Sequence, residues 1–410
     1  MFLLYELLLV LALLVALPYF LVTGVLRGKY LANFPERMGF YRTPAAPHDL
    51  WIHAVSVGET IAARPVVDEI LRRRPATSIV FTTTTLTGQA QARRLFPDAT
   101  ITYFPFDFAM SVKRFLTHHA PRAFATMETE IWPNVTRLAR ARGLRLVLAN
   151  GRISDRSFPR YRAMRPVVAR VLRKYERILA REETDRERFI AIGARPESVE
   201  TTGNVKFDYL PDERPLEIAA QLEQLIAGRK VLVLGSTMPG EDELLLPHVE
   251  RFAREHDAFV IIAPRKPERF ELVAAMLPEG TVRRSALAVG RSSFLLLDSI
   301  GELARIYRYA TAAFIGGSLL PGVGGHNPIE AAAVGVPVSF GPHMSNFREI
   351  AEIFLRQGAA EEVRSAAEVM AFAARMFEDA RPMGERGRKV VEQNRGAAAR
   401  TAARIVELLA

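Results

Sequence analysis

Ile315 to Phe347 reads IGGSLLPGVGGHNPIEAAAVGVPVSFGPHMSNF, a glycine-rich loop between a short apolar run and a helix start. Glycines 316, 317, 322, 324 and 325 let backbone amides approach a ligand closely, and the helix opening at Asn327-Pro328-Ile329-Glu330 favours negative charge. The pair predicts a phosphate address for a nucleotide. Asn327 suits an N-cap and Pro328 the first helical position, where a missing N–H costs nothing. Glu330 then has two readings. It is a capping-box residue, or it reaches over the loop to the hydroxyls of a ribose.

Other charged groups follow apolar runs in the same way. His53-Ala54-Val55-Ser56-Val57-Gly58-Glu59-Thr60 turns at Gly58 into a helix, and Ser56 and Glu59 have capping-box spacing. Glu59 is therefore a structural cap or one of the catalytic groups that a parallel sheet presents at its strand ends. Glu128 and Glu130 close the run Ala123–Met127 and precede Ile131-Trp132-Pro133-Asn134. They orient a base, stabilise a developing cation or face solvent. Lys206 lies in Gly203-Asn204-Val205-Lys206-Phe207-Asp208, and Pro264-Arg265-Lys266-Pro267-Glu268-Arg269 ends a run with three cations suited to phosphate. No H-E-x-x-H, G-x-S-x-G or P-loop is present. Of eight histidines, only His53 and His326 fall within the candidate site.

Such groups need a scaffold that gathers loop ends. From Leu50 to Gly203, runs at 50–54, 79–83, 101–104, 123–127, 144–149 and 199–202 alternate with helical patterns. A second series runs through 230–234, 259–263, 294–297, 312–315 and 336–340. Alternating β and α units predict parallel sheets covered on both faces, with ligands beyond the carboxyl ends of the strands. The expected organisation is α/β: an anchor helix over 1–29, a Rossmann-like domain over 30–210, a linker over 211–228 and a second Rossmann-like domain over 229–410. The two doubly wound domains are expected to face each other across a cleft, with the last helix packing on either half.

At 410 residues and 49% apolar content the chain holds two globular domains. Zero cysteines exclude disulfides, thiolate metal sites and cysteine nucleophiles. A net charge of +10 implies anionic partners: a membrane surface, a phosphorylated substrate or nucleic acid, the last disfavoured by the lack of any recognisable nucleic-acid module. Leu7 to Leu26 is uncharged and long enough to cross a bilayer as a helix. Glu6 precedes it and Arg27, Lys29, Arg37 and Arg42 follow, which places the bulk of the chain on the cytoplasmic side. The alternative is an amphipathic or buried helix. Between Arg152 and Arg177, nine cations interleaved with apolar residues suggest a basic helix on anionic lipid or a solvated face.

These segments together carry a family resemblance. HAVSVGET (53–60), METEIWPN (127–134), GNVKFD (203–208), APRKPERF (263–270), the glycine loop (316–338), GPHMSNF (341–347) and PERMGFYR (35–42) resemble the bacterial 3-deoxy-D-manno-octulosonic acid (Kdo) transferases in order and spacing. The resemblance implies a GT-B glycosyltransferase moving Kdo from CMP-Kdo to a lipid A precursor on the inner face of the cytoplasmic membrane. By it, Glu59 matches the general base, and Glu128 and Lys206 match transition-state stabilisers. Pro264, Arg265, Ile300, Gly301, Glu302, Asn327, Pro328, Ile329 and Glu330 match CMP-binding positions. It implies inversion in one displacement with neither metal nor cofactor; an Asp-x-Asp metal motif is absent. The alternative is another membrane-associated GT-B transferase using a UDP-sugar.

Overall fold

The computed structural model describes residues 5–7, 9–12, 14, 15, 33–208, 214–287 and 292–409. They divide into two compact units, one running to Asp208 and including the segment from Arg395, the other spanning Tyr209–Asn394. Among the described residues each unit holds a seven-stranded, all-parallel sheet.

The first sheet comprises β1 (Leu50–His53), β2 (Ile79–Thr83), β3 (Thr100–Tyr103), β4 (Ala123–Met127), β5 (Arg145–Gly151), β6 (Arg177–Ala180) and β7 (Val199–Thr201). Its order is β3-β2-β1-β4-β5-β6-β7. Successive residues serve opposite faces, and both faces are apolar. Leu50 and Ile52 pack with Val66 and Ile70 of helix Val57–Arg73, whereas Trp51 packs with Phe115 and Phe124 on the other side. That is why these strands read as continuous apolar runs rather than alternating ones.

The second sheet comprises β8 (Val231–Thr237), β9 (Phe259–Pro264), β10 (Val282–Arg283), β11 (Phe294–Leu296), β12 (Ala312–Ile315), β13 (Val338–Phe340) and β14 (Ala360–Glu362), in the order β10-β11-β9-β8-β12-β13-β14. Leu232, Leu234, Val260 and Phe314 share a core with helices Glu241–Glu255 and Ala366–Glu378. The strand order reverses between β1 and β4 in the first sheet and between β8 and β12 in the second, where β11 also inserts between β9 and β10. These switch points open a crevice beyond the carboxyl ends.

Three strands lie outside the runs read from the sequence: β6, β10 and β14. Each is two to four residues long, and Arg177, Arg283 and Glu361–Glu362 break their apolar pattern. Helix Ala219–Ile226 occupies part of the stretch expected to be linker, burying Leu222, Leu225 and Ile226. Helix Ala397–Glu407 returns to the first unit rather than ending the second. Ala398, Ala402 and Ile405 join Val66 and Ile70 in one core, and Asp208 accepts hydrogen bonds from Gly396 N (2.6 Å) and Ala398 N (2.7 Å) at its start. The expected basic helix over 152–177 is two short ones, Phe158–Ala163 and Arg165–Leu172, each with a proline in its first turn, and Val168, Val171 and Leu172 are buried.

The expected anchor falls largely outside the described residues; no helix among the described residues is long and apolar enough to cross a membrane. Tyr5 and Glu6 are tied to the first unit. The Tyr5 hydroxyl donates to Asp107 (2.8 Å), and Glu6 accepts from Ala109 N (2.8 Å) and Asn134 Nδ2 (2.7 Å). Asp107 also accepts from Asn134 N and Val135 N, and burial pushes its carboxyl up to about 6. Leu7, Val10, Leu11, Leu14 and Val15 are exposed.

Candidate functional site

At the first switch point the loops after β1 and β4 are neighbours because their strands pair directly, His53 against Thr126. Ser56 caps helix Val57–Arg73. Glu59 bonds back to it, accepting from Val55 N (2.7 Å) and from Ser56 Oγ (3.2 Å). The capping geometry is thus real, one residue earlier than a strict capping box. It does not exhaust the carboxylate. Burial and then the nearby Glu128 charge push Glu59 up to about 7, against the opposing pull of the Val55 N–H. A carboxylate poised near neutrality suits proton acceptance.

Glu128 is the contrasting acid. Its backbone is left-handed (φ 58°), a strained geometry for a residue with a Cβ, held by its N–H on Ala149 O (2.8 Å). Burial alone would raise its pKa. Arg181, Lys206 and Arg152 outweigh burial and hold it below the usual carboxylate range. Arg181, 4% exposed, pairs with Glu128 and donates to Asn150 O (3.2 Å); Lys206 Nζ lies 3.8 Å from Glu128. Asn150, also left-handed, accepts from Val205 N (3.2 Å) and so sets the turn that carries Lys206. Glu130 is pushed up to about 7, chiefly by burial. Two acids near 7 flank one kept ionised, a division of roles set by environment. His53 is a core residue: it stacks on Phe104 at 3.8 Å, and burial pushes it down to about 3.

Asn150 and Arg181 escaped the sequence reading. Arg181 follows β6, a strand too short and too flanked by charge to recognise, and Asn150 is the penultimate residue of β5, without a motif of its own. The signal available was position: both stand at the carboxyl end of a strand.

The second unit corrects the reading of the glycine loop. Gly317, Ser318 and Leu319 donate their amides to the carboxylate of Glu241 at 2.6, 2.8 and 2.9 Å, and Met238 N joins at 3.0 Å. Glu241 has no exposed surface and heads helix Glu241–Glu255. A built-in anion therefore fills the first part of the loop, and these amides are not open to a phosphate. Gly317 (φ 69°) has no space for a Cβ beside His326 and Val323. The helix starts at Ile329 with Pro328 as its N-cap, one residue later than expected. Asn327 Oδ1 accepts from Ile329 N (3.1 Å), and its amide donates to Glu330 (3.3 Å). Burial raises the Glu330 carboxyl, partly countered by Asn327 and Arg265. A capping-box bond from Glu330 to the backbone is not made, because the side-chain amide of Asn327 takes it.

Of the three cations after β9, Arg269 is committed to Asp242 (2.8 Å) and Glu243 (2.9 Å). The Arg265 side chain is exposed, and it makes no hydrogen bond among the described residues. Burial, and then the Arg265 charge, pushes His326 down to about 4. Pro264 ends β9. Ile300 is exposed and Gly301 left-handed, while the Glu302 carboxylate is engaged by Arg284 (2.8 and 2.9 Å) and Ser299. Beside the loop lies a recess of about 510 Å³ lined by Gly322, Gly324, His343, Ser345, Arg348 and Glu352.

The Haemophilus influenzae 3-deoxy-D-manno-octulosonic acid transferase is 34% identical over 383 residues, covering 90% of each chain. The chain belongs to the Kdo transferase family. A family profile described as 3-deoxy-D-manno-octulosonic-acid transferase (kdotransferase) matches residues 32–209. The Bordetella pertussis Kdo transferase is 34% identical, covering 87% of this chain and 86% of its own. A UDP-GlcNAc 2-epimerase from Neisseria meningitidis, solved bound to UDP-GlcNAc, superposes with a TM-score of 0.56 over 89% of this chain and 99% of that one, at 14% identity. That likeness concerns the fold of two parallel-sheet α/β domains, not the ligand. As a Kdo transferase, the protein is a glycosyltransferase.

The Glu241 clamp makes a prediction for this Kdo transferase. Glu241→Gln keeps the size but replaces one accepting oxygen by an NH2 that faces backbone donors. The second unit should lose about 1.5–3 kcal/mol of stability by urea titration. An unchanged midpoint would mean that the loop amides find other acceptors.

Proposed function

We propose that the protein transfers Kdo from CMP-Kdo to a lipid A precursor at the inner face of the cytoplasmic membrane, by one metal-independent inverting displacement. The observation that carries this reading is Glu59, pushed up to about 7 beside a Glu128 kept ionised by Arg181 and Lys206. Glu59 takes the proton of the acceptor hydroxyl as its oxygen attacks the anomeric carbon. The bond from that carbon to the CMP phosphate breaks, and the electron pair leaves with CMP. The transition state is oxocarbenium-like, with positive charge on the sugar and growing negative charge on the phosphate. Lys206, Arg265 and the helix start at Asn327–Glu330 supply the cationic side, and Glu330 meets the ribose. Pro264, Ile300, Gly301 and the backbone of Glu302 complete the CMP contacts. An N-terminal membrane anchor, single-pass or monotopic, brings this site to a lipid acceptor; the exposed Leu7, Val10, Leu11, Leu14 and Val15 support that contact.

Incubating full-length protein with CMP-Kdo and a lipid A precursor should yield products heavier by whole Kdo units in mass spectrometry. No mass gain, or tighter binding of UDP than CMP in calorimetry, would reject the reading. Arg265→Ala should weaken CMP binding by about 1.5–3 kcal/mol through loss of charge-assisted bonds. An unchanged CMP affinity in that variant would remove Arg265 from the site.

A further inference from the structure

Arg152 follows β5 directly and is stapled to the loop after β4. Its N–H donates to Thr129 Oγ1 (3.0 Å), and the Thr129 hydroxyl donates back to Arg152 O. The residue is half-buried, and its charge acts on Glu128. Its guanidinium makes no hydrogen bond or ion pair among the described residues. Arg181 is spent on Glu128 and Asn150, and Lys206 stands 3.8 Å from Glu128.

The charge balance of the cluster points outward. Arg152, Arg181 and Lys206 face one carboxylate held ionised, Glu128, and two that are only part-ionised at neutral pH, Glu59 and Glu130. A substrate that settles here excludes water, and an unpaired guanidinium then loses its hydration without compensation. An incoming oxyanion removes that cost, and the planar fork of arginine fits a carboxylate with two parallel bonds.

We propose that Arg152 contacts the substrate and binds the carboxylate that a ketulosonic acid carries on its anomeric carbon. This inference rests on the proposed Kdo transfer. The attacked carbon must reach the acceptor oxygen at Glu59, so a carboxylate one bond from that carbon falls within the same cluster. Arg152 is then also a selector: a neutral hexose donor leaves the guanidinium buried and unpaired. A phosphate on the acceptor is the other source of an oxyanion, and the experiment separates the two.

The measurement is kcat/KM for native protein, Arg152→Gln and Arg152→Lys with CMP-Kdo and with its carboxamide analogue, on phosphorylated and dephosphorylated acceptor. Arg152→Gln should lose about 10- to 100-fold with CMP-Kdo, with unchanged CMP affinity and melting temperature, and lysine should restore part of the loss. With the carboxamide donor, native and variant should become equal. A gap that persists with the carboxamide but closes on dephosphorylated acceptor would overturn the carboxylate assignment. Equal rates for native and Arg152→Gln on every pair would overturn the site itself. No transfer by the native protein would sink the function beneath it. Ligand-observed NMR with free Kdo on native protein and Arg152→Gln then decides Arg152 alone: weaker binding by the variant supports it, and equal binding overturns it.

Discussion

Glu59→Gln should lower Kdo transfer by about 10²–10⁴-fold while leaving melting temperature and CMP affinity nearly unchanged. Glutamine keeps the volume, its oxygen still accepts from Val55 N–H, and its amide still meets the Ser56 hydroxyl, so the helix start survives. What it loses is the capacity to take a proton. Only the ionised carboxylate is a base, so native kcat/KM should rise with pH through about 7, and the variant should lack that limb. Stability runs the other way. A carboxyl raised from 4.5 contributes its stability fully below about pH 4.5 and loses it as pH climbs through 7. The variant, which cannot ionise, should therefore hold its melting temperature better than the native protein at pH 8. Near-native turnover in single-turnover measurements would reduce Glu59 to a helix cap.

Glu128→Gln should act on both stability and rate. Arg181 is 4% exposed and loses its ionised partner, and a buried pair broken on one side costs about 3–5 kcal/mol; the retained amide oxygen places the change near the lower end. Urea titration reads that loss. Turnover should fall by roughly 10²-fold or more, because Lys206 is no longer held beside an anion. A third consequence has a definite sign. The Glu128 charge is second only to burial in raising Glu59, so without it Glu59 ionises more readily. The acid limb of the remaining activity should move to lower pH. A limb that stays at about 7 would show that Glu128 does not act on the base.

The residues of the proposed chemistry and their class were legible in the sequence because they sit in short motifs directly after apolar runs. Runs such as Ile79–Thr83 and Phe259–Pro264 are buried on both faces, and that demand writes itself into composition. The weak strands were illegible for the opposite reason: β14, Ala-Glu-Glu, borders a single neighbour and keeps its polar side chains part-exposed. The glycine loop announced closely approached backbone amides but not who approaches them.

By itself, the sequence determined two parallel α/β sheets and the loops that bear charge, since local apolar pattern and turn chemistry fix elements one at a time. Tertiary structure alone decided which loops meet. β1 and β4 are separated by two strands in sequence, yet they pair at the point where the sheet reverses, and only this sets Glu59 beside Glu128. The same pairing of β8 with β12 delivers the Glu241 carboxylate to Gly317, Ser318 and Leu319, from more than seventy positions away. Proton affinities follow from such meetings. Burial and the like charge of Glu128 put Glu59 near 7, whereas Arg181, Lys206 and Arg152 overcome burial and keep Glu128 ionised, although both are glutamates after a strand, because desolvation and Coulomb energies depend on neighbours in space rather than in sequence.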